Sequence, residues 1–329
     1  SHQVEHISLA QRTDLVIIAP ATANVCAKLA HGLADDMLTT TVLACRCPKL
    51  IAPAMNTNMY ENPVTQDNLS LLEKYGWEVI SPASGRLACG AVGPGKLPEP
   101  VDLLQHILRH LALPHDLSGK RVLVSAGPTQ EAIDPVRYLT NHSTGKMGYA
   151  LARMAMLRGA DVTLVSGPTA IEPPPFLRTI PVVSAQDMYD AISENAPQAD
   201  FIFMAAAVAD YTPTECADNK IKKKDGDMAI PLKRTRDILG FLGEHRAPGQ
   251  ILCGFSMETQ NMLENSRAKL SKKHVDMICA NNLKVPGAGF GVDTNILTLI
   301  TRDAVTELPK MSKEEAANAI LDQALALMK

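Results

Sequence analysis

Short apolar runs alternate with longer stretches of helical spacing twice along the chain, and a six-residue break, Pro114-His115-Asp116-Leu117-Ser118-Gly119, separates the two series. Such alternation builds parallel sheets covered by helices, and it leaves little room for an all-helical or all-β fold. In the first series the pattern predicts strands near Asp14–Ile18, Lys49–Pro53 and Glu78–Ser81, with helices at Thr22–Ala30, Val64–Tyr75 and Val101–Leu111. The second opens with a strand at Arg121–Ser125, a helix at Met147–Arg158 and a strand at Asp161–Val165. Further strands follow at Thr179–Val183, Asp200–Ala206, Gln250–Gly254 and His274–Ala280. A hairpin from Asn295–Thr301 and Ala304–Pro309 precedes a closing helix, Lys313–Met328, with Ser312 as N-cap and Glu315 three residues on. The expected architecture is α/β, two doubly wound Rossmann-like domains over 1–116 and 117–329.

The composition removes other classes. Of 329 residues 46% are hydrophobic and 20% charged, the balance of a folded chain, and the length suits two domains. The longest apolar runs, Leu15–Ala21 and Phe201–Ala209, fall short of the ~20 residues that span a bilayer. A formal net charge of −3 gives no global reason to bind nucleic acid or an anionic membrane, so any anion site is local. Seven scattered cysteines, odd in number and mostly in apolar segments, suit a reducing compartment and a cytoplasmic location. No Cys-x-x-Cys pair occurs, and His106 and His110, at i,i+4 spacing, lack a third metal ligand in sequence. Ser1–Leu9 shows no signal pattern and opens just before the first strand.

In open parallel sheets chemistry gathers in loops after strand carboxyl ends. Gly90-Ala91-Val92-Gly93-Pro94-Gly95-Lys96 nearly matches a phosphate-cradling loop. Leu97 stands where Ser or Thr would ligate magnesium, and Pro98 and Pro100 follow where a helix should open, so the segment reads as a Gly-Pro flap. Gly287-Ala288-Gly289-Phe290-Gly291 lacks dinucleotide-fingerprint spacing, which argues against a nicotinamide cofactor. Ala126–Glu131 follows the first strand of the second series, and Asn141–Gly148 precedes a helix with small and hydroxyl residues that let backbone N–H groups approach an anion, or merely cap the helix. Asp210 ends the 205–209 run, where a carboxylate reaches a ligand or its magnesium. Lys220, Lys222, Lys223 and Lys224 follow, either a solvated loop or a triphosphate-facing lid. Lys269 and Lys273 share a helix face, and Phe255 past a strand end stacks on a base or fills the core. In the first series, Pro53–Tyr60 carries amide side chains after a strand, His6 stands near the start, and Cys89 sits in the glycine-rich flap, a setting unlike that of an inert core thiol.

Together Pro20–Asn24, Pro53–Tyr60, Leu87–Gly90, Ala126–Glu131, Asp134–Tyr138, Asn141–Gly148, Ala205–Tyr211, Lys220–Lys223 and Gly254–Thr259 resemble the bifunctional coenzyme A biosynthesis family. That family joins a flavin-dependent phosphopantothenoylcysteine decarboxylase to a phosphopantothenate-cysteine ligase. The resemblance implies a flavoprotein-like decarboxylase unit using FMN, followed by a nucleotide-binding ligase unit using CTP and Mg2+. In the ligase the 4'-phosphopantothenate carboxylate attacks the α-phosphate, pyrophosphate leaves, and cysteine's amine takes the acyl group from the acyl-cytidylate. Such chemistry needs cations where phosphate charge moves.

Carried over by position, Asp210 (also as the magnesium ligand), Lys220, Asp237, Ile238, Phe255, Lys269 and Lys273 are nucleotide contacts. Asn141 serves acyl-cytidylate formation or turnover, and Lys220 the second half-reaction. In the first unit Thr22, Asn24 and Met55 face FMN, His6 is the base, Asn56 holds the departing carboxylate and Cys89 supplies a proton. The resemblance also implies homo-oligomers, ligase dimers and decarboxylase trimers. The family's first strand, glycine-rich turn and helix have no counterpart here, which predicts an N-terminally incomplete decarboxylase unit. The alternatives are a ligase with a degenerate assembly-mediating first unit, or a non-catalytic regulatory binding protein.

Overall fold

The structure, a computed structural model, describes residues 4–86, 92–223, 227–258, 261–282 and 294–328, and falls into two compact units, Ser1–Pro114 and His115–Lys329. In the first, strands Val16–Ala21, Lys49–Pro53 and Glu78–Val79 form a parallel sheet in that order. From Leu50 to Pro53 the central strand is apolar and buried because both its faces are covered. Ile51 packs with Leu69 and Leu72, while its neighbours Leu50 and Ala52 turn the other way toward Leu103. Helix Ala23–His31 starts at Thr22, whose Oγ1 accepts the Val25 N–H (3.3 Å), and helices Pro63–Lys74 and Pro100–Leu111 both open with proline in the first turn.

Two helices depart from the pattern in the sequence. Residues 5–12, expected as a lead-in to the first strand, form helix Glu5–Arg12, with Glu5 in its first turn and Arg12 in its last, both favourable to the helix dipole. Helix Met37–Ala44 carries no helical signature because Thr39, Thr40, Thr41 and Val42 favour strand; the reciprocal capping box of Asp36 and Thr39 outweighs that propensity. The described part of the Gly-Pro flap is an antiparallel pair, Ala83–Arg86 with Val92–Lys96, and Gly95, at φ 132°, is the bulge where its register shifts rather than the start of a helix.

The second unit carries an eight-stranded sheet. Its order is Arg178–Pro181, Asp161–Ser166, Arg121–Ala126, Phe201–Met204, Ile251–Glu258, Met277–Asn282, Leu297–Thr301 and Val305–Glu307. The first six strands are parallel and the last two antiparallel. Numbered by sequence, the parallel part runs 3-2-1-4-5-6, the Rossmann order, and it reverses between Arg121–Ala126 and Phe201–Met204. Leu123, Ile202, Leu252 and Ile278 pack on one face with Met188, Ile192, Leu242 and Leu270 of three helices. Helix Lys146–Leu157 covers the other face, and the capped C-terminal helix Lys313–Leu327 packs over it. Gly148 makes this close: a Cβ there would lie 2.6 Å from the Ala126 Cβ. Each fully buried leucine or isoleucine contributes roughly 1.5–3 kcal/mol.

Strand Met277–Asn282 begins three residues later than the sequence pattern predicts. His274, at φ 51°, turns the chain out of the preceding helix, and the Asp276 carboxylate accepts the Leu252 N–H (2.9 Å). The entry and the close of the unit meet at Arg158, which is almost wholly buried. It donates Nε and Nη2 to Asp116 (2.8 and 2.6 Å) and Nη1 to Asp322 (2.8 Å) of the C-terminal helix. Among the described residues no helix is long and apolar enough to cross a membrane.

Candidate functional site

The strand-order reversal places a crevice at the carboxyl ends of Arg121–Ala126 and Phe201–Met204, where open α/β sheets take ligands. Its walls are stitched together by backbone. Ala207 donates to the Gly127 carbonyl (2.9 Å), Thr129 donates to the Ala207 carbonyl (3.2 Å), and the buried Thr129 Oγ1 accepts the Ala209 N–H (3.0 Å). Asn141 joins the same knot, its Nδ2 donating to the Ala207 carbonyl at 3.0 Å. Gly127 and Gly145, both at positive φ, approach so closely that a Cβ on Gly145 would lie 3.2 Å from the Gly127 nitrogen.

Beside this knot lies a cavity of about 550 Å³. Met204 ends the fourth parallel strand and Ala206 follows it, while Phe255, expected past a strand end, lies within the fifth, Ile251–Glu258; Asp210 with Arg234 and Arg236 comes from the rim. Asp237 and Ile238 begin helix Ile238–His245, and Lys269 and Lys273 descend from helix Met262–Lys272 and its cap. Asp237 Oδ1 caps its helix through the Gly240 N–H (3.0 Å), while its other oxygen pairs with Lys273. Burial would push this carboxyl up, but the Lys273 ammonium, the Gly240 N–H and nearby Lys269 hold it below the usual carboxylate range. Lys269 Nζ donates to the Phe255 carbonyl (2.9 Å). Cations thus cluster at a helix start beside a half-buried ring, which is chemistry suited to an anionic, ring-bearing ligand.

Lys220 is not in this cavity. The resemblance sets it with Asp210 among the nucleotide contacts, whereas it lines a second cavity of about 840 Å³ with Arg137, Lys222, Lys223 and Asp227. The cause is Asp134, whose carboxylate holds the Ile221 N–H (3.1 Å) and draws the lysine loop toward Arg137. Sequence reasoning misses this clamp and the rim arginines. An Asx-turn signature is available in Asp134 followed by proline. The guanidinium of Arg236 lies 4.7 Å from the Tyr189 ring centroid, a pairing with no sequence signal.

In the first unit, Thr22 and Asn24 follow one parallel strand, and Met55 and Asn56 the next, so all four stand at the carboxyl ends of neighbouring strands. Asn56 also caps the short helix Thr57–Tyr60 through the Asn58 N–H (2.9 Å), and Met55 donates to the Gly95 carbonyl (3.0 Å). The Thr57 Oγ1 beside them is buried with no hydrogen-bond partner among the described residues. His6 lies half-buried on helix Glu5–Arg12, and Cys89 lies outside the described residues, as does 287–291. Glu78 bridges His106 and His110 (Nε2 to Oε2, 2.6 Å), a neighbour for that pair that the sequence does not reveal. Among the described residues no group of three or more His, Cys, Asp or Glu could hold a metal ion.

Two family profiles cover the chain. The flavoprotein family matches residues 1–112, and the DNA/pantothenate metabolism flavoprotein C-terminal domain matches residues 117–328. Coenzyme A biosynthesis bifunctional protein CoaBC of Bacillus subtilis (strain 168) is 50% identical over 99% of this chain and 81% of its own length. A cysteine/cysteine sulfinic acid decarboxylase from an unknown prokaryotic organism is 42% identical over 98% of this chain and 92% of its own. The crystal structure of the C-terminal domain of a CoaBC protein is 44% identical, covers 64% of this chain and 97% of that one, and superposes with a TM-score of 0.55. A flavoprotein unit followed by a DNA/pantothenate metabolism unit, at this identity over nearly the whole length, places the chain in the family of coenzyme A biosynthesis bifunctional proteins.

Proposed function

We propose that the second unit, 117–329, ligates 4'-phosphopantothenate to cysteine at the expense of CTP, and that the first, 1–116, decarboxylates the product with FMN. The observation that carries the ligase reading is the cavity beside the switch point, over the fourth and fifth parallel strands, where Lys269, Lys273, Asp210, Asp237 and Phe255 converge. In this reading Phe255 and the Asp237–Ile238 turn take the cytosine, while Lys269 and Lys273 exchange their internal partners for phosphate oxygens. The substrate carboxylate then attacks the α-phosphorus and pyrophosphate departs. Cysteine's amine attacks the acyl carbon, CMP leaves, and the amine's proton passes to solvent. Asn141 and Lys220 stand by the acyl phosphate during these two steps.

Asp210 offers a hard oxygen at the exposed rim, which fits a Mg2+ held chiefly by the nucleotide's phosphates rather than by a protein cage. For the flavin, the neighbouring strand ends and the orphaned Thr57 hydroxyl fit a polar ligand over Thr22, Asn24, Met55 and Asn56. Bound FMN supplies the two-electron chemistry that lets carbon dioxide leave. His6 removes a proton, Asn56 holds the carboxylate and Cys89 returns a proton. Homo-oligomers, dimers through the ligase and trimers through the decarboxylase, complete the reading.

Incubation with CTP, Mg2+, phosphopantothenate and cysteine is expected to release pyrophosphate; release with another nucleotide and none with CTP refutes the assignment. Lys220→Gln is expected to make the acyl-cytidylate accumulate, detected by mass spectrometry of quenched mixtures, and unchanged turnover removes that role.

A further inference from the structure

Asp134 is enclosed yet ionised, and both its oxygens are committed. Oδ1 accepts the N–H groups of Val136 and Arg137 (both 2.9 Å), closing its own turn. Oδ2 takes Arg137 Nε (3.0 Å), Arg137 Nη2 (2.5 Å) and the N–H of Ile221 (3.1 Å). Arg137 completes the ring by donating to the Ile221 carbonyl (3.0 Å). Four residues upstream of Ile221, the Ala217 N–H donates to the Ile133 carbonyl (3.0 Å), so the loop is pinned to this turn at two points. From the same turn strand Tyr138–Thr140 runs directly into Asn141.

We infer that Asp134 is a positioning residue: by gripping the backbone of Ile221 it sets where Lys220 stands relative to Asn141. Lysine is a flexible point charge, and adjacent lysines repel, so an untethered loop would scatter its ammonium groups through solvent. A charge-assisted bond to backbone amide, backed by a two-pronged guanidinium, holds the loop without occupying any lysine. The inference rests on the ligase reading, in which Lys220 and Asn141 serve one reacting group. It adds that their spacing is set by a carboxylate that touches neither substrate.

The test is Asp134→Asn in the full chain, which keeps size and one acceptor oxygen but loses the second carboxylate oxygen and the charge. CTP affinity by titration calorimetry is expected to stay within about twofold, because the nucleotide cavity contains no Asp134 contact. Cysteine-dependent consumption of acyl-cytidylate is expected to fall on the order of 10- to 100-fold, the cost of about 1 Å of misplacement. In a Lys220→Gln background the substitution is expected to add no further loss, since both changes remove one function. Amide hydrogen exchange is expected to accelerate across 217–223 and not in strand Phe201–Met204. Unchanged turnover, an additive loss with Lys220→Gln, or exchange rising through the whole unit would each overturn the inference. Failure of the wild-type chain to release pyrophosphate refutes the ligase reading alone; the exchange measurement then decides whether Asp134 holds the loop.

Discussion

The two cationic cavities of the second unit use similar side chains and are built in opposite ways. In the cavity lined by Asp210 and Phe255, Lys269 and Lys273 project from a helix and its cap, and Phe255 from a strand, so packed regular elements fix their positions. In the other, Lys220, Lys222 and Lys223 lie on irregular backbone that the turn of Ile133, Asp134 and Arg137 holds at Ala217 and Ile221. The first arrangement is inherited from the sheet; the second hangs on a single turn. That contrast suits a reaction in which a nucleotide is held throughout while a loop attends a transient acyl phosphate.

The contrast breaks if the cavities prove interdependent. Lys269→Ala with Lys273→Ala is expected to weaken CTP binding on the order of a hundredfold, the loss of two charge-assisted contacts, with the exchange of 217–223 unchanged. Loosening of that loop would show the two regions to be one. Gly148→Ala tests the sheet-anchored region from below. Its methyl would meet Ala126 and the Ser125 carbonyl, 2.9 Å away, so we expect a loss of ~1–3 kcal/mol in denaturant unfolding.

The smallest effect is expected from Asp237→Ala, about 1 kcal/mol for the lost helix cap. Because the Asp237 carboxyl titrates below its ordinary value when folded, its ionised form contributes stability above the usual carboxylate range, and that contribution is lost as pH falls through the lowered value. The gap between wild type and variant, followed by unfolding midpoints, should therefore be full near neutrality and close in acid. A gap that widens on acidification would remove the Lys273 pairing from the account.

The same contrast explains what is legible in the sequence. Lys269 and Lys273 share a helix face by spacing alone and Asp210 follows an apolar run, so periodicity suffices to put these three at the sheet's rim, whereas Phe255 lies within its strand because Ile251–Glu258 outruns the expected Gln250–Gly254. Periodicity does not suffice for Lys220, because the contact that locates it links Asp134 and Ile221 across 87 positions and leaves no local pattern. Glu78 between His106 and His110 is hidden for the same reason. The alternating pattern exposes the parallel strands, and the Ser312–Glu315 box marks the last helix. Helix Glu5–Arg12 and the small antiparallel pairs, such as Tyr211–Pro213 with Leu232–Arg234, escape it, being too short for periodicity to register. In the first unit, Thr22 and Asn56 each cap a helix, a local role that their residue types signal.

The meeting of Asp116 and Asp322 at Arg158 has a practical bearing on dissecting the chain. A cut made at residue 117 would strip one partner from a guanidinium that has almost no access to water, and deleting the last helix would strip the other. A stand-alone ligase fragment should therefore start no later than His115 and run through Leu327, so that its first and last segments remain buckled together.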